Sequence, residues 1–154
     1  MAGGAEELDG GDDFFEEGVL DSMEQLEALL ERFPELHVRY SEGPAADSGR
    51  ASVDTESGLE LPGLSVNPLQ PERWWTRPVA DWLARQLCQY KHLQERNPGR
   101  FAWILTGRTA ARGPDCEPLV HGVRPIARLA DTVLGEAEAR YRAHFDAGRG
   151  PEDD

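Results

Sequence analysis

The sequence contains little cysteine and no long apolar run. Its 154 residues include only Cys88 and Cys116, which are too few for a disulfide framework or a zinc site. No apolar stretch approaches the ~18 residues that a membrane helix needs. The acidic N-terminus lacks the basic region and apolar core of a signal peptide. These absences predict a soluble, cytoplasmic protein in a reducing compartment.

Lysine is almost absent from the chain. Fifteen of the sixteen basic residues are arginine, and Lys91 is the only lysine. One interpretation is that arginine serves for forked contacts to carboxylate or phosphate groups. The bias runs through the whole chain together with abundant Ala, Gly and Pro, so codon usage in a GC-rich genome is the favoured explanation.

Positive charge is scarce at the N-terminus, and the net charge of −13 arises mainly there. Residues 1–35 contain twelve acidic residues and one arginine. The rest of the chain is close to neutral apart from its last three acids. A strongly negative protein repels anionic surfaces, which argues against binding to membranes and makes nucleic acid an unfavourable partner.

Composition divides the chain into one domain with two tails. We expect a disordered acidic arm over 1–18, an α+β domain over 19–146 and a disordered acidic tail over 147–154, because the ends hold too little apolar area to offset ordering entropy. The pair Phe14–Phe15 interrupts the acidic arm. It is either a docking motif for a partner or a contact with the domain's own surface.

Three segments have helical periodicity. Ser22 and Gln25 form a capping-box pattern before an apolar stripe that ends at Pro34. A second helix is predicted to follow Pro78, with Thr76 as its cap, and to end before Asn97. A third is predicted from Asp131 as its cap, with Val133, Leu134, Ala137, Tyr141 and Phe145 facing inward.

Strand patterns lie between these helices. Leu36–Ser41 alternates, Leu59–Leu69 contains two prolines, and Phe101–Thr106 is aromatic and β-branched. Arg108–Arg112 continues or pairs with the last of these, and Leu119–Leu129 is broken by Gly122 and Pro125. The order α-β-β-α-β-β-β-α predicts a small single α+β domain with an antiparallel or mixed sheet and about three helices.

Most motifs that carry chemistry are absent. There is no glycine-rich phosphate loop and no dinucleotide fingerprint. The histidines are not spaced along the sequence as metal ligands usually are. The sequence therefore predicts no metal and no cofactor. These histidines are His37, His92, His121 and His144.

Two regions on strands and loops are candidate sites. Arg39 lies on a strand that ends in a turn, where polar residues line the mouth of a sheet, and Ser65 lies in the proline-rich segment. Trp74 and Trp75 follow it. They are either a stacking floor for a planar ligand or, as we favour, hydrophobic anchors that pin a loop.

A hairpin near residue 113 is the third candidate. Arg108, Arg112, Asp115 and Glu117 converge on it. Glu117 is a candidate general base or ribose-binding acid, with an arginine for an anionic group. The alternative, slightly favoured, is a solvent-exposed cluster of ion pairs.

Several stretches together resemble an uncharacterised bacterial family of actinobacterial type, a domain of unknown function. The resemblance covers roughly residues 20–142 and implies no activity. It rests on His37–Pro44, Ser57–Leu69, Trp74–Trp75, Arg77–Leu93 and Leu105–Val120.

The chain also resembles the ADP-ribosyltransferase-like folds in three residues. Such folds place a basic residue, a Ser/Thr or aromatic residue and a Glu on successive strands. Arg39 (or His37), Ser65 and Glu117 occur in that order. Asp115 stands where the family has an acidic or Gln partner two residues before the Glu, which is a departure.

Two functions follow as hypotheses. The first is a non-catalytic binding or accessory domain, with a protein partner docked through the acidic arm and the first helix. The alternative is a small enzyme acting on a nucleotide-like substrate, with Arg39, Ser65 and Glu117 as catalytic candidates. Trp74, Trp75, Arg108, Arg112 and Asp115 are the ligand-binding candidates.

Overall fold

A computed structural model of the chain describes residues 13–48 and 50–145. Most of the predicted arm, residues 1–12, and the whole of the predicted tail lie outside the described residues. The described part contains four helices and six strands, which confirms the α+β class. In chain order the elements are β1 (Val19–Leu20), α1 (Met23–Arg32), β2 (His37–Ser41), α2 (Pro44–Asp47), β3 (Leu64–Ser65), β4 (Asn67–Pro68), α3 (Val79–Arg96), β5 (Phe101–Arg112), β6 (Pro118–Leu129) and α4 (Asp131–His144).

Only one of the three N-caps predicted from the sequence is present in the structure. Ser22 and Gln25 form the predicted capping box of α1. Thr76 does not cap α3, because the N-cap position is occupied by Pro78, whose ring fixes φ near the helical value. Asp131 is the first residue of α4 rather than its cap. Its carboxylate instead accepts a hydrogen bond from Gln94 of α3.

The sheet is mixed, as predicted. The β5–β6 hairpin lies at its centre, β2 pairs antiparallel with β5, and β1 pairs parallel with β6. Gly122 and Pro125 do not break the last strand. The β5–β6 register shifts around them, because bulges absorb a residue that cannot join the ladder. One twelve-residue strand results on each side of the hairpin.

Two short strands curl the sheet toward closure. Leu64–Ser65 pairs with β6, and Asn67–Pro68 pairs with β2. Residues 64–68 therefore join the two sides of the β2–β5–β6 sheet. Gly63 makes the crossing feasible: its φ is +156°, and a Cβ there would lie 3.1 Å from the backbone of Leu119.

The curled sheet separates two hydrophobic cores. Ala102 and Ile104 of β5 face the helices α1, α3 and α4, which cover the outer side of the sheet. The alternate residues Phe101, Trp103 and Leu105 face the inner side, where they pack with Leu64, Val66 and Val120. Because side chains alternate along a strand, β5 supplies both cores. The inner side is the one on which polar groups and cavities gather.

Candidate functional site

A groove opens on the inner side of the sheet. It consists of one cavity of about 760 Å³ and a neighbouring one of about 420 Å³. Asp47, Arg50, Ala51 and Leu64 line both, so the two adjoin. Pockets for small organic ligands commonly measure about 300–1,000 Å³. The groove is therefore large enough to hold such a molecule.

The smaller cavity is the polar end of the groove. Arg39 on β2 donates a fork of hydrogen bonds to Asp47, from Nε to Oδ2 at 2.7 Å and from Nη2 to Oδ1 at 3.2 Å. Its Nη1 donates to the backbone oxygen of Ser65 at 2.9 Å. Arg50 and Arg100 complete the basic lining. Three arginines thus line this end.

A hydrogen-bond network holds Asp47, which lines both cavities. Ser41 Oγ donates to Asp47 Oδ2 at 2.7 Å and accepts from Trp103 Nε1 at 3.0 Å. The backbone N–H of Gly43 also donates to Ser41 Oγ, at 3.1 Å. Buried polar atoms are stable when they are paired in this way. The network fixes α2 and its Asp47 against the sheet.

The three residues predicted as catalytic lie in one chain of hydrogen bonds. Ser65 Oγ donates to Glu117 Oε2 at 3.0 Å, and the carbonyl oxygen of Ser65 accepts from Arg39. The other carboxylate oxygen of Glu117 accepts from the backbone N–H of Asp115 at 2.9 Å. Arg39 and Ser65 line the polar end of the groove, whereas Glu117 lines neither cavity. Their catalytic role stays a prediction.

The hairpin arginines contact the hairpin itself. Arg112 donates to the backbone oxygen of Cys116 at 3.2 Å, and Arg108 pairs across the hairpin with His121. Within residues 13–48 and 50–145, neither arginine forms an ion pair with Asp115 or Glu117. The tight turn itself, with Cys116 at a φ of 65°, brings Glu117 toward Ser65.

The paired tryptophans belong to the helical side of the sheet. Trp75 packs against the helical core, and its ring lies 5.2 Å from that of the buried Trp82. Trp74 is 66% exposed and contacts both rings edge to face. Neither residue lines the groove. Their geometry agrees with anchors for the loop before α3 more than with a floor for the groove ligand.

A segment that we call the strap, Asp13–Leu20, runs along β6 and was not predicted to do so. The backbone N–H of Glu17 donates to Ile126 at 2.7 Å, and that of Arg128 donates to Gly18 at 2.9 Å. Charged forks reinforce it, from Arg124 to Glu16 and from Arg32 to Glu17. The hydrogen bond from Arg124 lowers the pKa of Glu16, and that from Arg32 lowers the pKa of Glu17.

The start of the strap forms one wall of the groove. The ring of Phe15 lies 6.1 Å from that of Trp103, and Phe14, which is 74% exposed, lines the larger cavity. Asp13 accepts from the backbone N–H of Ala45 at 2.9 Å. Gly43 permits this approach, since a Cβ there would lie 2.5 Å from Asp13 Oδ2. The aromatic pair in the acidic sequence was the only signal for this contact.

His37 is a buried base on the inner side of β2. It is 4% exposed, and within the described part of the chain its Nδ1 has no hydrogen-bond partner. Burial lowers the pKa of His37, because the charged form loses solvation. It lines neither cavity. The neutral imidazole is a core residue here, and Arg39 is the basic residue that reaches the groove.

The donors in the groove suit an anion rather than a cation. Among the described residues, no three His, Cys, Asp or Glu side chains are grouped to hold a metal ion. In the same residues, no helix has the length and apolar character needed to span a bilayer. Guanidinium and hydroxyl groups dominate the polar end. Such groups bind carboxylates and phosphates.

Fold and groove together define a small α+β domain with a curled mixed sheet and a groove that is basic at one end and apolar at the other. Residues 16–151 match the model of a family of unknown function, DUF6098. The chain belongs to this family, which confirms the resemblance to an uncharacterised domain. The match begins within the strap. No curated protein and no solved structure matches the chain.

Proposed function

We propose that this domain is a non-catalytic binding module that holds a small anionic molecule in the groove. The observation that carries the proposal is the adjacency of two unlike cavities, which share four lining residues. One is lined by Arg39, Arg50 and Arg100, and the other by the strap and the inner core. A small number of charged groups beside an apolar surface is the usual composition of a ligand site.

The hydrogen bonds that the Glu117 carboxylate accepts within the protein favour a binding function over catalysis. Both of its carboxylate oxygens accept hydrogen bonds within the protein, and it lines neither cavity. A general base must lie within hydrogen-bond reach of the proton that it removes. In this arrangement Glu117 supports the groove by holding Ser65.

The binding function predicts thermal stabilisation by an anionic ligand. We expect one member of a panel of NAD, nucleotides, small carboxylates and short nucleic acids to raise Tm by about 10 °C at a hundred times its Kd, because binding adds about 2.7 kcal/mol to the native state. Amide NMR shifts with that ligand are expected at Ala51, Leu64 and Gly122. No Tm shift across the panel, or amide shifts confined to the helical side, would count against the proposal.

The chain Arg39–Ser65–Glu117 favours a second candidate, a small enzyme acting on a nucleotide-like substrate. If it is correct, purified protein incubated with NAD or nucleotides yields a product by mass spectrometry. We then expect Glu117→Gln to abolish turnover and the exposed Glu56→Gln to leave it unchanged. Absence of product from every nucleotide would remove this candidate and leave the binding module.

We further propose a bacterial, cytoplasmic protein whose acidic arm and α1 dock a protein partner. The outer side of α1 carries Glu24, Glu27 and Glu31. Clustered acids on one exposed helix suit a basic surface on that partner. The strap uses Glu16 and Glu17 for the domain itself, so among the described residues the acids available to a partner are those on α1.

A further inference from the structure

The polar end of the groove has an excess of positive charge. Asp47 is the only acidic residue in its lining. Both oxygens of that carboxylate are occupied by Arg39, and Oδ2 also accepts from Ser41. Asp47 therefore compensates Arg39 alone. Across residues 13–48 and 50–145, Arg50 and Arg100 have no carboxylate partner, so two positive charges remain uncompensated.

Hydrogen-bond donors also remain at this end. A guanidinium has five N–H groups, and Arg39 uses three of them on Asp47 and Ser65. Ser52 Oγ accepts from the backbone N–H of Ser65 at 2.9 Å, which leaves its own hydroxyl proton for another acceptor. The lining thus offers several donors and two net charges to one bound group.

Two uncompensated positive charges and several free hydrogen-bond donors fit a phosphate monoester better than a carboxylate. A phosphate monoester carries about −1.5 to −2 charges near neutral pH and presents three strong acceptor oxygens. A carboxylate carries one charge on two oxygens and would leave one of the two guanidinium charges uncompensated. Forked arginine contacts are a common means of binding phosphate groups.

The larger cavity offers apolar side chains to the rest of the ligand. The partly exposed Val123 and Pro125 line it from the sheet, and the exposed ring of Phe14 faces it from the strap. An aromatic ring gains by stacking on a planar heterocycle. The two ends adjoin, so one ligand of moderate size spans both.

We infer that the groove binds a nucleoside monophosphate, with the phosphate between Arg39, Arg50 and Arg100 and the planar base against Phe14 and Val123. This inference rests on the proposed binding function and names its ligand class. It assigns Arg50 and Arg100 to phosphate and Phe14 to the base. The two sets of side chains are separable by mutation, because each contacts a different part of the ligand.

Calorimetric titration of the full chain with AMP, adenosine and ribose 5-phosphate tests this division. AMP is expected to bind at least about tenfold more tightly than either fragment, since it uses both ends of the groove. Arg50→Ala and Arg100→Ala are each expected to weaken AMP about tenfold or more and to leave adenosine unchanged. Phe14→Ala is expected to weaken AMP and adenosine and to spare ribose 5-phosphate.

Arg73→Ala is the matched control, because Arg73 is an exposed arginine that lines neither cavity. It is expected to change none of the three affinities. Equal binding of AMP and adenosine, or an unchanged AMP affinity in Arg50→Ala and Arg100→Ala, would overturn the phosphate assignment. A different panel ligand that maps to the groove while AMP does not bind would also overturn it, yet would preserve the binding function. Failure of every ligand at the groove would refute both.

Discussion

Asp81→Asn is expected to lower the free energy of unfolding by about 3 kcal/mol. Asp81 is 2% exposed in the first turn of α3. Arg140 Nε and His144 Nδ1 on α4 lie 2.7 and 2.8 Å from its Oδ1, and Arg77 Nη2 lies 3.0 Å from its Oδ2. Breaking a buried ion pair typically costs about 3–5 kcal/mol. The arginines are partly exposed, which places the expected cost at the lower end.

The same carboxylate predicts a pH dependence. Burial alone would raise the pKa of Asp81, but hydrogen bonds from Arg140 and Arg77 outweigh it and hold the pKa below its ordinary value. The folded state therefore keeps Asp81 ionised where the unfolded chain, with a pKa of about 3.9, already binds a proton. Its contribution is complete above about pH 5 and is lost as pH falls through the folded pKa.

Urea unfolding from pH 7 to pH 3 measures both effects. The difference between wild type and Asp81→Asn is expected to shrink below about pH 4. Glu95→Gln is the control on the same helix, since Glu95 is 62% exposed in a pair with Lys91. It is expected to cost less than about 0.5 kcal/mol. Equal effects of the two variants would show that Asp81 does not stabilise the α3–α4 junction.

Trp103→Ala is expected to destabilise the protein by about 3–5 kcal/mol. Trp103 is fully buried in the smaller, inner core, where few other large side chains can fill the space. Removing a buried aromatic side chain costs its transfer free energy and leaves a cavity. Trp103→Phe keeps most of the apolar volume and loses only the hydrogen bond to Ser41, so a cost of about 1–2 kcal/mol is expected.

Chemical denaturation with Trp74→Ala as the control checks this prediction. Trp74 is 66% exposed, and its ring contacts are edge to face with its neighbours. Its removal is expected to cost less than about 1.5 kcal/mol. A small effect of Trp103→Ala would mean that the inner core does not stabilise the sheet. A Trp74 variant as unstable as Trp103→Ala would contradict the assignment of Trp74 to the surface.

Local sequence was sufficient where neighbouring residues decide the structure. The capping box at Ser22 and Gln25 is confirmed because both partners lie within one helical turn. The strand at Phe101 is confirmed because its aromatic and β-branched residues favour extended backbone. The caps predicted at Thr76 and Asp131 are wrong, because Pro78 and Ala130 hold those positions. A short polar side chain near the start of a helix does not by itself identify the N-cap, because the backbone conformation decides which residue occupies that position.

The candidate site was predicted in part. Arg39, Ser65 and Glu117 were proposed together, and the structure joins them by hydrogen bonds. Their proximity depends on residues 64–68 crossing between β2 and β6, which no local pattern indicates. The tryptophan pair was a candidate on composition, yet it lies on the helical side of the sheet.

The sequence by itself determined the α+β class, most of the regular elements and the acidic character of the chain, because periodicity, capping and charge can be read within a few residues. Only the tertiary structure decided which arginines remain uncompensated and how the groove forms. Asp47 neutralises Arg39 and leaves Arg50 and Arg100 without a carboxylate partner among the described residues. The strap meets β6 more than a hundred residues away. Pairing over such separations depends on how strands and helices pack, which local preferences do not encode.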